Sequence, residues 1–514
     1  MSNFSVHMTK QDVDKLLQGG ERISLECKKA LGGIPNSLWE TYSAFANTDG
    51  GTILLGVEED TAAKARTKRF SVTGVDDADK LRKDLWNILS NKEKVSVNLL
   101  NDSDISVVEV GDKEVIAIHV PRAEYNLRPV YINNNPIRGA YRRNHEGDYH
   151  CTEQMVRMMV RDSFEDGNDR QLIEYYTMDD IDQPTLKSYR IMFGLENPEH
   201  VWNGLDDKEF LTQLGGYTVN RAEHTEGLTM AGLLMFGKGL PVRERFDNLR
   251  MDYIDKSNLI GDQRYSDRLT YDGRWENNIF NFIRMVVPKL TRDLPRPFQM
   301  EGVVRKDDTP QHKAVREAFT NMIIHADLMT NGLLRAEKYD DRIVLTNPGL
   351  LKLPLEQIYR GGESKARNQR IQNMLRMIGY GENLGSGFPL ILKAWNDKHW
   401  VRPELIEQPE LMQVKLVLHI MNGEDDEPFL STDDKKDDPK DDPKETTERQ
   451  RVIITLILQD DTITREEMTQ KTRMSDATIK RDLADLQAKG ILTREGGRKE
   501  GRWVVNVHHK DKNG

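Results

Sequence analysis

The sequence predicts a multidomain α+β protein, and three observations lead to this fold class. The chain has 514 residues, which corresponds to about three domains at ~100 to 200 residues each. Short stretches of alternating apolar residues mark strands, and apolar residues at helical spacing mark helices between them. An acidic stretch with three prolines separates the C-terminal tail from the rest. We therefore expect several α+β units joined by a linker.

The charge and cysteine counts exclude several classes of protein. There are 74 Lys+Arg against 84 Asp+Glu, for a net charge of -10, so a globally basic nucleic-acid coat is excluded and any such contact must come from a local patch. Two cysteines, Cys27 and Cys151, cannot make a disulfide framework. The N-terminus lacks the apolar core of a signal peptide, and no apolar run approaches the ~18 residues of a membrane span. We expect a cytoplasmic protein without a membrane contact.

The acidic stretch at 423–445 predicts a disordered linker, because its eleven acids, four lysines and three prolines cannot bury enough apolar surface to fold. Its DDPK repeat is either a solvated spacer or a protein-binding motif. The tail that follows is the only net-positive block. The expected organisation is an N-terminal domain at 1–168, a connector at 169–309, an α+β domain at 310–422, the linker, and a C-terminal domain at 446–514.

The N-terminal domain is predicted to be rich in strands. Ile23, Leu25 and Cys27 alternate as in a strand, a helix follows over 37–46, and Asp49-Gly50-Gly51 ends it before the strand TILLGV. A second strand covers 114–120. The segment PIRGAYRRNH then brings together three arginines that are candidates for phosphate contact, namely Arg138, Arg142 and Arg143.

The most specific pattern lies in QHKAVREAFTNMIIHAD, residues 311–327. Glu317 and Asn321 are four residues apart, so a helix stacks both side chains on one side, one turn apart. An amide oxygen can bind hydrated Mg²⁺ that bridges nucleotide phosphates, and a carboxylate one turn away can orient and deprotonate a water. The alternative interpretation is an ordinary exposed pair on an amphipathic helix.

Further motifs follow in the order that a nucleotide fold requires. After the strand RIVLT, Asn347-Pro348-Gly349 makes a turn at the strand end. Gly385-Ser386-Gly387 precedes an apolar helix at 388–392, where glycines let backbone N–H groups approach a phosphate. Lys365 and Arg367 supply cations between the two motifs.

Residues 310–392 resemble the GHKL ATPase family, in particular the histidine-kinase-like domain of bacterial ATP-binding regulators. This resemblance implies a Bergerat-type α/β sandwich with ATP and Mg²⁺ as cofactors. It assigns Mg²⁺ binding to Asn321, the role of hydrolytic base to Glu317, and a phosphate lid to Gly385, Ser386 and Gly387. The family has an aspartate for the adenine amino group where this chain has Asn347, whose carbonyl can still accept that hydrogen bond. Gly349 belongs to the same turn.

His325 and Asp327 follow the motif as HAD. One histidine beside one aspartate lacks the three or four ligands that a zinc site needs. We expect a structural role for this pair.

Residues 19–152 resemble the Schlafen-type, Alba-like nucleic-acid-binding domain, on the pieces SLECKKA and AFANTDGGTILLGVEED. In nuclease members three acids bind a divalent metal, which implies Mg²⁺ or Mn²⁺ at Glu21, Glu26 and one of Glu58 or Asp60. The alternative is that Glu26 and Lys28 share the outer face of a strand and pair there. The domain then binds nucleic acid without cleaving it.

The C-terminal domain is predicted as a winged helix. A first helix spans 449–458, Thr464 and Glu467 form a capping box, and a third helix begins at Ser475 with a buried stripe of Ile479, Leu483 and Leu486. The side chains expected to face outward are Thr478, Lys480, Arg481, Asp482 and Asp485, and the basic hairpin residues are Arg498, Lys499 and Arg502. This resembles the DeoR-like helix-turn-helix regulators and implies DNA binding. The alternative is a protein-interaction module, since Asp482 and Asp485 would repel phosphate.

Together these patterns predict a regulator, most simply of transcription, in which ATP switches nucleic-acid binding. DNA is the expected partner, RNA is an alternative, and a homo-oligomer is expected because such proteins read paired half-sites. One alternative function is an ATP-gated, metal-dependent nuclease in anti-phage defence. Another is an adaptor with a vestigial nucleotide site.

Overall fold

The computed structural model describes residues 8–19, 23–60, 70–145, 147–164, 167–295, 300–301, 304–305, 309–381, 387–422, 453, 457, 463–472, 476–488, 492–495 and 502–505. The chain divides into two compact units, Met1–Phe429 and Leu430–Gly514. The predicted linker at 423–445 lies outside the described residues, as does most of the predicted first helix at 449–458.

The N-terminal part of the first unit is built around a four-stranded sheet. Its helices are α1 (Lys10–Gly19), α2 (Ser37–Asn47), α3 (Ala78–Leu89), α4 (Pro136–Gly139) and α5 (Glu153–Ser163). Its strands are β1 (Leu25–Lys28), β2 (Gly51–Leu55), β3 (Val57–Glu59), β4 (Phe70–Val72), β5 (Ile105–Val110), β6 (Lys113–Val120), β7 (Tyr141–Asn144) and β8 (Gly147–His150). The sheet order is β1-β2-β6-β5, with β1 parallel to β2. Helices α2 and α3 cover one face of this sheet and α1 covers the other.

The predicted alternation is confirmed for Leu25 and Cys27 but not for Ile23, which precedes β1 and is 52% exposed. Leu25 and Cys27 pack with Val13 of α1, while Glu26 faces the opposite side. The predicted strand TILLGV is divided in two at Gly56, which has φ +91 and which permits the bend between β2 and β3. Gly51 lies against the Phe45 ring, so a larger residue there would separate α2 from the sheet.

The connector and the following block share one core and one sheet. The connector contributes α6 (Gln183–Glu196), α7 (Asp207–Leu214), α8 (Met230–Phe236), α9 (Gly239–Arg245) and α10 (Ile279–Thr291). Its strands are β9 (Tyr217–Asn220), β10 (Thr225–Leu228), β11 (Leu249–Asp255), β12 (Asp267–Leu269), β13 (Met300–Glu301) and β14 (Val304–Arg305). The next block adds the helices α11 (Pro310–Ile324), α12 (Leu355–Arg360), α13 (Gln369–Arg376) and α14 (Gly387–Asn396). It also adds the strands β15 (Gly332–Lys338), β16 (Arg342–Pro348), β17 (Glu404–Gln408) and β18 (Gln413–His419).

A six-stranded sheet crosses the boundary that the sequence suggested at residue 309. Its order is β12-β11-β15-β16-β18-β17, and β11 from the connector pairs in parallel with β15. One continuous apolar core extends from Ile173 to Leu418. The connector is therefore part of the same folded body as the 310–422 block, because neither could bury its side of the core alone.

Helix α11 lies inside this core. Thr309 caps it by accepting from the backbone N–H of His312, and Pro310 occupies its first turn, where no N–H is needed. Apolar residues at helical spacing, including Val315, Phe319 and Ile323, are fully buried. The predicted helix is thus confirmed, although it is buried on more sides than an amphipathic surface helix would be.

Helix α5 joins the N-terminal part to the 310–422 block. Three of its methionines pack with Met412 and Leu350. The Asp162 carboxylate accepts two hydrogen bonds from the Arg367 guanidinium, at 2.9 and 2.7 Å, and both groups are buried. Next to it, Arg161 pairs with the buried Asp327 at 2.5 Å.

The second unit contains α15 (Arg465–Thr472), α16 (Asp476–Ala488), β19 (Leu492–Glu495) and β20 (Arg502–Val505). The two strands form an antiparallel hairpin. The predicted capping box is present, because Glu467 accepts from the backbone N–H of Thr464 while the Thr464 hydroxyl accepts from that of Glu467. Ile479, Leu483 and Leu486 are buried as predicted.

We predict that Asp162→Ala will destabilise the chain by about 3 to 5 kcal/mol, because it leaves the Arg367 charge buried without a partner. The matched control is Glu153→Ala on the same helix, where an exposed pair with Arg157 is removed and a loss of less than about 1 kcal/mol is expected. Denaturant unfolding of both variants measures this. Equal losses would contradict the structural role of the buried pair.

Candidate functional site

A cleft with about 1020 Å³ of empty space, partly open to solvent, lies beside α11. Its lining includes Glu317 and Asn321 from α11, Asn347 from the end of β16, Lys365, and Gly387 from the start of α14. The structure thus brings together residues from four motifs that the sequence analysis had placed in one order along the chain.

Glu317 and Asn321 are in direct contact in this cleft. The Asn321 Nδ2 donates to the Glu317 Oε1 at 3.2 Å, which leaves the amide carbonyl as an acceptor. Glu317 is only 7% exposed, so the alternative of an ordinary surface pair is wrong for this residue. The buried carboxylate and the neighbouring amide form a compact set of oxygen ligands.

Gly387 closes one end of the cleft. A Cβ at this position would overlap the Glu317 carboxylate and would approach the Asn321 amide nitrogen at 3.1 Å. The absence of a side chain therefore allows the N-terminus of α14 to lie directly against the Glu317–Asn321 pair. The other two residues of the predicted lid, Gly385 and Ser386, lie outside the described residues.

The turn after β16 forms the opposite part of the cleft. Asn347 is buried and lines it, and its Nδ2 donates to the carbonyl of Pro348. Gly349 adopts φ +101 with Asp327 and Arg367 close by, a conformation that favours glycine. The predicted turn is present, and Asn347 lies at the end of β16 beside the cleft.

The two predicted cations have different roles. Lys365 lines the cleft, as expected. The Arg367 guanidinium also borders it, but donates to the Asp162 carboxylate, to the His325 carbonyl at 2.7 Å and to the Leu350 carbonyl at 2.5 Å. The expectation of Arg367 as a phosphate ligand is therefore corrected: its donors are engaged in holding two segments of the chain together.

Lys352 lines the cleft and was missed by the sequence analysis. Burial lowers the pKa of Lys352 to about 8, together with the charges of Arg367, Arg128 and Lys365 and against the opposing charge of Asp162. Nothing in the local sequence LLKLP distinguishes this lysine from any solvated one. Its environment is created by residues distant in the chain.

His325 borders the same cleft. Burial, followed by the charges of Arg367 and Lys352, lowers the pKa of His325 to about 4, so the imidazole is neutral at pH 7. Asp327 is buried and pairs with Arg161. Asp327 thus serves a buried ion pair, and the structural role of His325 stays a prediction.

Two of the four candidate acids of the N-terminal domain, Glu26 and Glu58, are paired with cations. Glu26 contacts Lys28 and Arg143, both at 2.9 Å, as in the alternative of pairing on the strand. Glu58 contacts Lys29 at 3.0 Å, and Asp60 is exposed beyond β3. Glu21 lies outside the described residues. Among the residues described, no group of three or more histidines, cysteines or acids could hold a metal.

The three arginines of the PIRGAYRRNH segment do not form one patch. Arg138 is exposed. Arg143 is 1% exposed and its guanidinium contacts Glu26 and Asp148, at 2.9 and 3.0 Å, so its expected phosphate contact is corrected. Arg142 and Arg143 lie on opposite faces of β7, because successive residues of a strand alternate. Arg142 borders a second cavity between α5 and the 350–351 segment.

The C-terminal unit presents part of the expected basic surface. Lys480 and Arg481 of α16 and Arg502 of β20 are exposed. Asp482 is only 4% exposed, so the prediction that it faces outward is wrong, and its carboxylate is not available to repel phosphate. The side chain of Thr478, together with Arg498 and Lys499, lies outside what the structure describes.

No helix among the described residues is long and apolar enough to cross a membrane.

We predict that the low pKa of His325 makes stability depend on pH. Between about pH 4 and its ordinary value of 6.5, the unfolded chain binds the proton and the folded chain does not, so the free energy of unfolding falls as pH falls through this window. Denaturant unfolding at pH 7 and pH 5 measures this loss. It should be smaller in His325→Gln, and an equal loss in both proteins would contradict the buried, neutral imidazole.

Comparisons with known proteins match four regions of the chain. Residues 21–152 match the family "Schlafen, AlbA_2", and 157–252 match a domain of unknown function, DUF8451. Residues 335–416 match "Putative ATP-dependent DNA helicase recG C-terminal", and 449–500 match the DeoR-like helix-turn-helix domain. A search of curated proteins finds no match.

Two solved structures are similar to this chain, one over nearly its whole length and one over about a quarter of it. The DIP2311 protein of Corynebacterium diphtheriae is 17% identical, with a TM-score of 0.38, over 96% of this chain and 83% of its own. The N-terminal domain of a RecG-related protein from Nitrosomonas europaea is 28% identical, with a TM-score of 0.22, over 28% of this chain and 90% of its own. The family matches confirm the predicted resemblance: the chain carries a Schlafen AlbA_2 region, an ATPase-like RecG C-terminal region and a DeoR-like helix-turn-helix region, in that order.

Proposed function

We propose that this chain binds ATP and Mg²⁺ in the cleft beside α11 and that the bound nucleotide switches its binding to DNA. The observation that carries the proposal is the contact between Glu317 and Asn321 inside a cleft that Asn347, Lys365 and Gly387 also line. A carboxylate buried in this way is costly unless its charge is used or compensated. A metal-chelated triphosphate fits this set of groups.

Each part of the cleft suits one part of the nucleotide. The Asn321 carbonyl oxygen is a ligand that Mg²⁺ accepts, and Mg²⁺ neutralises phosphate charge when bound. Glu317 can orient and deprotonate a water. Gly387 allows the N-terminus of α14 to approach the phosphates, while Asn347 offers a buried amide to the adenine. Lys365 supplies a cation in the cleft.

The switch requires that ATP binds more tightly to one state of the protein than to the other. The DeoR-like region supplies the DNA contact, through the exposed Lys480 and Arg481 of α16 and Arg502 of the hairpin. A winged-helix arrangement suits one helix in the major groove with the hairpin near a phosphate. Two copies of the chain would read paired half-sites in the cytoplasm, and RNA is an alternative ligand for the AlbA_2 region.

For the AlbA_2 region we favour nucleic-acid binding over cleavage. The Glu26 carboxylate is taken up by Lys28 and Arg143, and Glu58 by Lys29. Carboxylates that are paired in this way are not assembled to share a divalent ion. Purified protein with Mn²⁺ should therefore leave labelled RNA and DNA intact; cleavage that is lost in Glu26→Ala would instead support the nuclease alternative.

We predict that Asn321→Ala will weaken Mg-ATP binding by roughly 10- to 100-fold, because a hydrogen-bonding or ligating contact to a charged group contributes about 1.5 to 3 kcal/mol. Isothermal calorimetry on the full chain measures this. Asn373→Ala on the neighbouring α13, outside the cleft lining, is the matched control and should bind as the wild type does. If the wild type shows no affinity for Mg-ATP, the chain is an adaptor with a vestigial site.

We predict that Lys480→Ala and Arg481→Ala will each weaken DNA binding and reduce the slope of log affinity against log salt by about 1, because each removes one phosphate contact. Fluorescence anisotropy over a salt series measures this slope. Gln487→Ala, an exposed and uncharged change in the same helix, should leave it unaltered. Unchanged slopes in both charge variants would favour the protein-interaction alternative.

A further inference from the structure

Hydrogen bonds from the N-terminal domain hold the backbone of one wall of the cleft. The Leu351 and Lys352 segment lines the cleft, and its carbonyl groups accept hydrogen bonds from two arginines of that domain. The Arg122 Nη2 donates to the Leu351 carbonyl at 3.0 Å, and the Arg128 Nη2 donates to the Lys352 carbonyl at 2.9 Å. The backbone of this wall is therefore fixed by residues more than two hundred positions earlier in the chain.

Tyr125, which lies between Arg122 and Arg128 in the N-terminal domain, contacts Lys352 and Lys365 of the cleft. The Lys352 Nζ lies 4.3 Å from the centre of the Tyr125 ring, and the Lys365 Nζ lies 5.7 Å from it. Both distances are within the range in which the face of an aromatic ring attracts a cation. Within the described part of the chain, neither lysine forms an ion pair with a carboxylate. An aromatic ring thus holds both ammonium groups without neutralising them.

This arrangement places several positive charges along one wall of the cleft. The charges of Arg367, Arg128 and Lys365 lower the pKa of Lys352, whereas the Asp162 carboxylate, which pairs with Arg367, raises it. The carboxylates of Glu317 and Glu363 also line the cleft. Like charges held this close repel one another unless an anion is present. A bound anion would relieve that repulsion, so the wall is prepared for a negatively charged ligand.

We propose that Tyr125 and Arg128 of the N-terminal domain are positioning residues that hold Lys352 and Lys365 in place for the phosphates of the bound nucleotide. This inference rests on the proposed nucleotide site and adds a second domain to it. By linkage, a ligand of the N-terminal domain that displaces the 125–128 segment changes nucleotide affinity, and the nucleotide changes the affinity for that ligand by the same factor.

The test compares ligands with and without phosphate, on the full chain, by calorimetry with Mg-ATP and with adenosine. Tyr125→Ala should weaken Mg-ATP binding about three- to tenfold, the size expected for lost cation–ring attraction, and leave adenosine binding within twofold. Tyr125→Leu keeps apolar volume without the ring and should behave in the same way. Tyr125→Phe retains the ring and should restore wild-type affinity. Tyr149→Ala, an exposed tyrosine of the same domain, is the matched control.

The pH profile gives a second readout that a purely structural role would not change. Lys352 is charged below about pH 8 and neutral above it, so the affinity for Mg-ATP should fall between pH 7 and 9. His325, with its pKa lowered to about 4, is neutral throughout this window, and Arg128, with its pKa lowered to about 10, remains largely charged. Lys352→Met should flatten the profile.

The outcomes separate this inference from the proposed function. If the wild type does not bind Mg-ATP, the proposed function itself fails. If it binds but Tyr125→Ala and Tyr125→Leu bind equally well, nucleotide binding stands and the positioning role is overturned. If the two variants lose affinity for adenosine and for Mg-ATP to the same extent, the 125–128 segment stabilises the fold and does not position groups for the phosphates. The positioning role is then again overturned.

Discussion

A buried carboxylate on a buried helix is the constraint on which the account of this protein depends. Helix α11 packs against α14, α10, α13 and β16, and most of its positions are apolar, as a core helix requires. Glu317 departs from this pattern, because burying its charge is unfavourable unless other groups compensate it. The Asn321 amide provides part of that compensation.

The cleft is built by segments that lie far apart in the sequence. Glu317 and Asn321 of α11 and Gly387 of α14 line it. Arg122 and Arg128 hold the backbone of its wall at 351–352, and Asp162 of α5 holds Arg367. The sheet that supports the cleft also includes β11 and β12 from the connector. Motion of the AlbA_2 region relative to the cleft would therefore have to break the hydrogen bonds that Arg122 and Arg128 donate to the Leu351 and Lys352 carbonyls.

The sequence predicted what is local and missed what is distant. The helix with Glu317 and Asn321, the turn at Gly349 and the capping box at Thr464 each follow from residues within one or two turns of one another. Arg143 was misjudged, because a run of arginines resembles a solvated surface until its carboxylate partners are known. Its parity with the buried Tyr141 on a strand was a signal that could have revealed this. Lys352 and its aromatic contact carried no local signal.

The central claim is that a triphosphate binds against the Glu317–Asn321 pair. The most direct measurement is a crystal structure of the full chain grown with Mg²⁺ and a non-hydrolysable ATP analogue. The account predicts electron density for Mg²⁺ within bonding distance of the Asn321 carbonyl oxygen, with the phosphates at the N-terminus of α14 and the adenine near Asn347. Nucleotide bound elsewhere on the molecule, with this cleft closed by side chains, would contradict it.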